Sequence, residues 1–194
     1  MLKIRYFPRR AWLIGSLALW LGACGGGGGE ATPASDAVIG RSDPMTQSGG
    51  AADPTCGIAG FSEQMLAEVN RVRTQGQVCG GEWLPPVPAL GWDAALERAA
   101  AAHSTDMASN NFVSHTGSDG RSVADRATAQ GYAAGVGENL GGGQKNIAHL
   151  MEELLASPAH CGNLMRPDYR AFGAACVRND STFYKRHWTQ VFGQ

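Results

Sequence analysis

The chain has no excess of basic residues: its 194 residues carry 16 Lys+Arg against 17 Asp+Glu, a formal net charge of −1. A nucleic-acid binder normally shows a clustered basic surplus, so that class is excluded as the expected one. Long apolar runs are missing too. The longest, Ala11–Ala23, has 13 residues, short of the ~20 that a membrane-spanning helix needs. There is no C-x-x-C pair, which argues against a cysteine zinc site. No G-x-S-x-G nucleophile elbow occurs. The glycines around Gly135, Gly137 and Gly141–Gly143 miss the G-x-G-x-x-G spacing by one, and Lys145 is followed by Asn146, so neither nucleotide motif is present. Charged residues are scarce at 17%, whereas 43% hydrophobic content is enough for a packed core.

The N-terminus has the form of an export signal. Met1–Arg10 carries Lys3, Arg5, Arg9 and Arg10 with no acid, and the short apolar run ends in small residues. Leu21-Gly22-Ala23-Cys24 resembles the lipobox of bacterial lipoproteins, which implies that Cys24 is lipidated and becomes the new N-terminus. The alternative is an ordinary signal peptide cut nearby, with Cys24 incidental. Several acyl chains on one Cys would anchor the protein firmly. Gly25, not Asp, follows the Cys, which by the same resemblance favours an outer-membrane address. Removing residues 1–23 takes away four basic residues and no acidic one, leaving 12 against 17 and a formal net of −5. From Gly25 to about Thr55 the chain is rich in Gly, Ala, Ser, Pro and Asp without a period, so residues 24–55 read as a flexible tether. The folded domain is expected over 56–194, as a monomer.

Periodicity places four helices in that domain. Met65, Leu66, Val69 and Val72 predict a helix over Ser62–Arg73, with Ser62 as its N-cap. An alanine-rich segment predicts a second from Asp93 to Asn110. Ser122 with Asp125 forms a capping signature for a third, closed by Gly131. A fourth follows Asn146 and stops before Pro158, with a helical turn over His160–Met165. Tyr169–Val177 and Thr182–Phe192 are richer in aromatic and β-branched residues and flank Asn179-Asp180, which predicts a β-hairpin. Helices first and paired strands last give an α+β layered domain.

Setting Cys24 aside leaves Cys56, Cys79, Cys161 and Cys176. An even count in an exported chain implies two disulfides with three possible pairings. The expected pairing is the local one, Cys56–Cys79 and Cys161–Cys176.

Candidate site residues stand next to turn-forming positions. His115 lies in FVSHTGSDG, Glu138 in GENL and His160 in SPAH. Polar groups on loops over a helical scaffold are good site candidates. Two imidazoles and a carboxylate also satisfy a zinc site with an open position. His103 is expected as a hydrogen-bonded core residue, His149 on a helix surface, and Trp83, Trp92 and Trp188 in the core.

The ordered set FVSHTGSDG, GY, GENL, SPAHCGNLM, FGAACV and WTQVFG resembles the CAP superfamily of cysteine-rich secretory, antigen 5 and pathogenesis-related proteins, in its bacterial exported SCP-like branch. The resemblance runs from about Glu63 to Gln194. It implies an α–β–α sandwich whose cleft carries two His and two Glu, able in some members to hold a divalent metal. By motif the first His falls on His115, the first Glu on Glu138 and the second His on His160. The second Glu falls on Ser157, with Glu152 and Glu153 a turn earlier. His187 in His187-Trp188-Thr189-Gln190 echoes the family's H-Y-T-Q and is a weaker candidate, as are Ser157 and Glu153. The tether behind Cys24 and the incomplete tetrad together point to a lipid-anchored envelope module that presents the cleft to a lipid or envelope ligand without turnover. The alternative is a hydrolase using zinc or magnesium on the same residues. A serine hydrolase on Ser114 or Ser157 is weaker still.

Overall fold

Prolines and glycines set the start of the domain. In a computed structural model, which describes residues 52–194, helix α1 spans Phe61–Gln75. The expected leader, Cys24 and most of the tether lie outside those residues. Met65, Val69 and Val72 form the buried stripe of α1. Its N-cap is Gly60 in the left-handed conformation (φ 61°), not Ser62. Ser62 sits inside the first turn and donates to Glu63 instead. The hairpin β1 (Gln77–Cys79) and β2 (Glu82–Leu84) turns through Gly80 and Gly81, both at positive φ. Two such residues suit the tight turn whose twist matches paired strands. Trp83 on β2 is not in the core. It is 57% exposed and its ring covers Gly76.

The prolines end in β3 (Gly91–Trp92), followed by α2 (Ala94–Asn110). The Asp93 carboxylate caps α2 by accepting from the amides of Ala95 and Leu96. Helix α3 (Val123–Ala129) opens with the expected reciprocal Ser122–Asp125 box. Strand β4 covers Val136–Gly142. Asn146 caps α4 (Ile147–Ala156), and Ser157 caps α5 (Pro158–Leu164), which starts with proline. The C-terminal hairpin is β5 (Ala171–Arg178) with β6 (Arg186–Gly193), paired in antiparallel register from Ala171↔Gly193 to Arg178↔Arg186.

The main sheet has the order β3-β5-β6-β4, with β3 parallel to β5 and the other pairs antiparallel. Alternation along β5 and β6 divides the core into two layers. Phe172, Ala174, Cys176, Trp188 and Phe192 face α1, α4 and α5. Ala175 and Val191 face the other side, with Leu96 and Ala100 of α2 and Ala127 of α3. The result is an α+β, α–β–α sandwich. Gly173 of β5 lets α2 lie directly on the sheet, because a Cβ there would strike the backbone of Leu96 and Glu97.

The local disulfide pairing is overturned. Cys56 bonds Cys176 and Cys79 bonds Cys161, across 120 and 82 positions. Tertiary pairing decides this, not closeness in sequence. The incoming chain adds to the outer edge of β5: Cys176 N–H donates to the Pro54 carbonyl and Cys56 N–H to the Cys176 carbonyl. That bridge sets Cys56 beside Cys176. The β1–β2 hairpin rests on α5, which sets Cys79 beside Cys161.

Candidate functional site

Glu138 belongs to a strand, not to the glycine-rich turn expected from its neighbours. It lies on β4, the edge strand, opposite Val191. The surrounding glycines serve close packing. A Cβ on Gly137 would meet the Tyr169 hydroxyl and Asn163, and one on Gly141 would meet Leu150 and Gln144. Strand alternation then points Glu138 to the side of α2 and α3 and Asn139 to the side of α5.

The Glu138 side chain is 1% exposed and both of its oxygens are engaged. Oε2 accepts from Arg126 Nη2 at 2.6 Å, and Oε1 is 2.8 Å from His115 Nδ1. With a carboxylate as partner, Nδ1 carries the proton and donates. Arg126, itself buried, also donates to the carbonyls of Arg121 and His115. One guanidinium thus fixes the carboxylate and the loop that carries His115. The loop is held from below as well, since Asp106 of α2 accepts from the Ser118 amide and hydroxyl. The His115 ring remains 61% exposed. Its Nε2 is therefore the atom offered to solvent.

His103 lies behind the pair. Its Nε2 is 2.8 Å from the Ser114 carbonyl, and it stands 4.0 Å from Glu138. Burial lowers its pKa below the ordinary imidazole value, with Glu138 pulling the other way. His160 arrives from the opposite layer, on α5. Its carbonyl accepts from the Asn139 amide. Asn163 donates to the Glu138 carbonyl and to Asn139, and accepts from the Tyr169 hydroxyl. Burial, and then the nearby His115, lower the His160 pKa.

The structure joins His115 directly to Glu138 and brings His160 within electrostatic reach of His115. It does not bring the weaker candidates to Glu138. Ser157 is spent as the cap of α5, accepting from the His160 amide. Glu153 pairs with Gln144 and His149 on the surface of α4. His187 lies opposite Gly142, four residues along β4 from Glu138, which is about 13 Å at the usual strand rise. Its ring is buried, and among the described residues neither nitrogen has a hydrogen-bond partner. Sequence reasoning missed Arg126, which nothing in its local pattern distinguishes from a surface arginine on a short helix. It set His103 aside as core; it is core, and it also backs the site.

Among the described residues, no three His, Cys, Asp or Glu side chains are grouped to hold a metal ion. The donor set explains why. The one buried carboxylate is already neutralised by a guanidinium, and Ser157 is engaged in capping. These residues do not fit a divalent centre.

The model of the cysteine-rich secretory protein (CAP) family matches residues 66–192. An extracellular SCP-domain protein of Bacillus anthracis superposes with a TM-score of 0.56 at 23% identity, covering 69% of this chain and 40% of that one. An outer surface protein of Borrelia burgdorferi gives 0.56 at 19%, covering 68% and 90%. This chain thus spans well under half of the Bacillus protein. No curated protein matches in sequence.

Proposed function

We propose that this chain, which belongs to the cysteine-rich secretory protein (CAP) family, is a lipid-anchored binding module of the cell envelope whose cleft lies at the edge of β4. The observation that carries the reading is the engaged state of Glu138. Its two oxygens hold Arg126 and His115, so it serves as an orienting group and not as a free acid or metal ligand. Ser114 accepts from the Thr116 amide, and Ser157 caps α5. Two long-range disulfides support export to an oxidising compartment. The Leu21–Cys24 sequence supports the lipid anchor and the membrane as a partner. The names of the Bacillus and Borrelia proteins, extracellular and outer-surface, agree with that address.

The full chain, expressed with its own leader in a bacterial host, tests this. Labelled palmitate should enter the protein and the protein should pellet with membranes, and both should be lost in Cys24→Ser. Casein and p-nitrophenyl esters should show no turnover that depends on His115. Hydrolysis that falls in His115→Ala and with chelator would replace the module by a metal-dependent hydrolase.

A further inference from the structure

Glu138 has a cation beside it already. Arg126 Nη2 is 2.6 Å from Oε2, and both side chains are more than nine-tenths buried. A guanidinium of this kind does not give up its proton in proteins. A dication entering the same pocket would meet a fixed positive charge, in surroundings where screening is weak. The same carboxylate settles which nitrogen of His115 carries the proton. Oε1 faces Nδ1, so the lone pair is on Nε2, on a ring that is 61% exposed.

We propose that Arg126 stands in the place of a metal beside Glu138 and makes the cleft present His115 Nε2 as a hydrogen-bond acceptor. Arg126 is a positioning residue: it acts through Glu138 on His115. The ligand chemistry that fits is a hydroxyl or amide N–H donor, and bare divalent cations are excluded by charge. The inference rests on the cleft being the working site, but its test does not depend on lipidation or turnover.

Two measurements on the full mature chain decide it. The first needs no variant. Nitrogen-15 shifts of the imidazoles are read at about pH 8, above the ordinary imidazole pKa of about 6.5. His115 should show a protonated Nδ1 and an unprotonated Nε2, and Glu138→Gln should erode that preference. A proton on Nε2 in the wild type overturns the proposal. The second is a zinc titration. Wild type and Arg126→Lys should bind Zn²⁺ weakly and alike. Arg126→Met should bind it at least ~10-fold more tightly, the change that ~1.4 kcal/mol produces, and Glu138→Gln in that background should abolish the gain. Wild-type binding as tight as that of Arg126→Met, or a folded Arg126→Met with no gain, overturns it.

Discussion

Cys161, one residue after His160, is disulfide-bonded to Cys79 on the β1–β2 hairpin. The bond therefore anchors the short helix that brings His160 towards His115. A link across 82 positions constrains the unfolded chain by about 4.5 kcal/mol in the loop-entropy model. The double variant Cys79→Ala/Cys161→Ala should lose about 2–5 kcal/mol in guanidinium unfolding. The effect of His115 on the His160 titration should also shrink, because α5 is no longer clamped. A stable variant with unchanged imidazole titrations would show that core packing alone holds α5.

Arg73 of α1 provides a second tie to the same helix. It is fully buried, and among the described residues no carboxylate pairs with it. Its guanidinium donates to the carbonyls of Pro88, Leu164 and Arg166, with Tyr169 at the limit of reach. Burial lowers its pKa to about 10, which still leaves it charged at neutral pH. The Leu164 and Arg166 carbonyls end α5 and start the turn into β5, so the cation completes a helix C-terminus, while Pro88 ties in the segment before β3. Arg73→Met keeps the volume and strands the acceptors. The expected cost is at least ~3 kcal/mol, because several bonds from a charged donor, worth ~1.5–3 kcal/mol each, are lost while the cost of burying the cation is relieved. Arg73→Lys should recover part of it. Urea unfolding of the two variants checks the order.

What was legible in the sequence had local causes. The Ser122 cap and the helix starts at Asp93 and Asn146 lie where the sequence pattern places them, and the hairpin follows from its aromatic and β-branched runs. The contact of His115 with Glu138 was legible through the family resemblance, not through spacing. What stayed hidden depends on tertiary approach. Cys56 reaches Cys176 only because residues 54–56 add to β5. Gly137, Gly141 and Gly142 read as a turn because glycine is the usual turn residue. On β4 they are glycine because Tyr169, Leu150 and Tyr184 press against them.

That account of β4 has a direct test. A methyl on Gly137 must displace the Tyr169 hydroxyl, which is hydrogen-bonded to Asn163. Gly137→Ala should destabilise the domain by about 1–3 kcal/mol, the usual range for overpacking. In a Tyr169→Phe background the same change should cost less, because the obstructing oxygen is gone. The difference is a coupling energy from a double-mutant cycle, expected to be at least ~0.5 kcal/mol for residues in contact. Additive costs would mean that the Asn163 side chain, and not the Tyr169 hydroxyl, is what limits the space at Gly137.

His187 offers the last test, on acid stability. Its ring is buried beside Tyr184, and among the described residues neither nitrogen is hydrogen-bonded. Burial lowers its pKa, and the nearby Val177 carbonyl opposes this without reaching hydrogen-bond geometry. His103 and His160 are lowered in the same sense. In the unfolded chain each takes up a proton near about pH 6.5, whereas the folded state stays neutral to lower pH. The unfolded state then binds more protons, so stability falls as pH drops below about 6.5 and levels off only below the folded pKa. Each such group contributes a slope of up to ~1.4 kcal/mol per pH unit in that window. His187→Leu removes one of them and strands no partner. It should be neutral or stabilising at about pH 7.5, because no hydrogen bond is lost. Between about pH 6.5 and 5, above the range where most carboxylates titrate, its stability should fall less steeply than that of the wild type. Guanidinium unfolding across that range measures both slopes. Parallel curves would mean that His187 finds a proton-accepting partner in solution, and that His103 and His160 carry the acid limb.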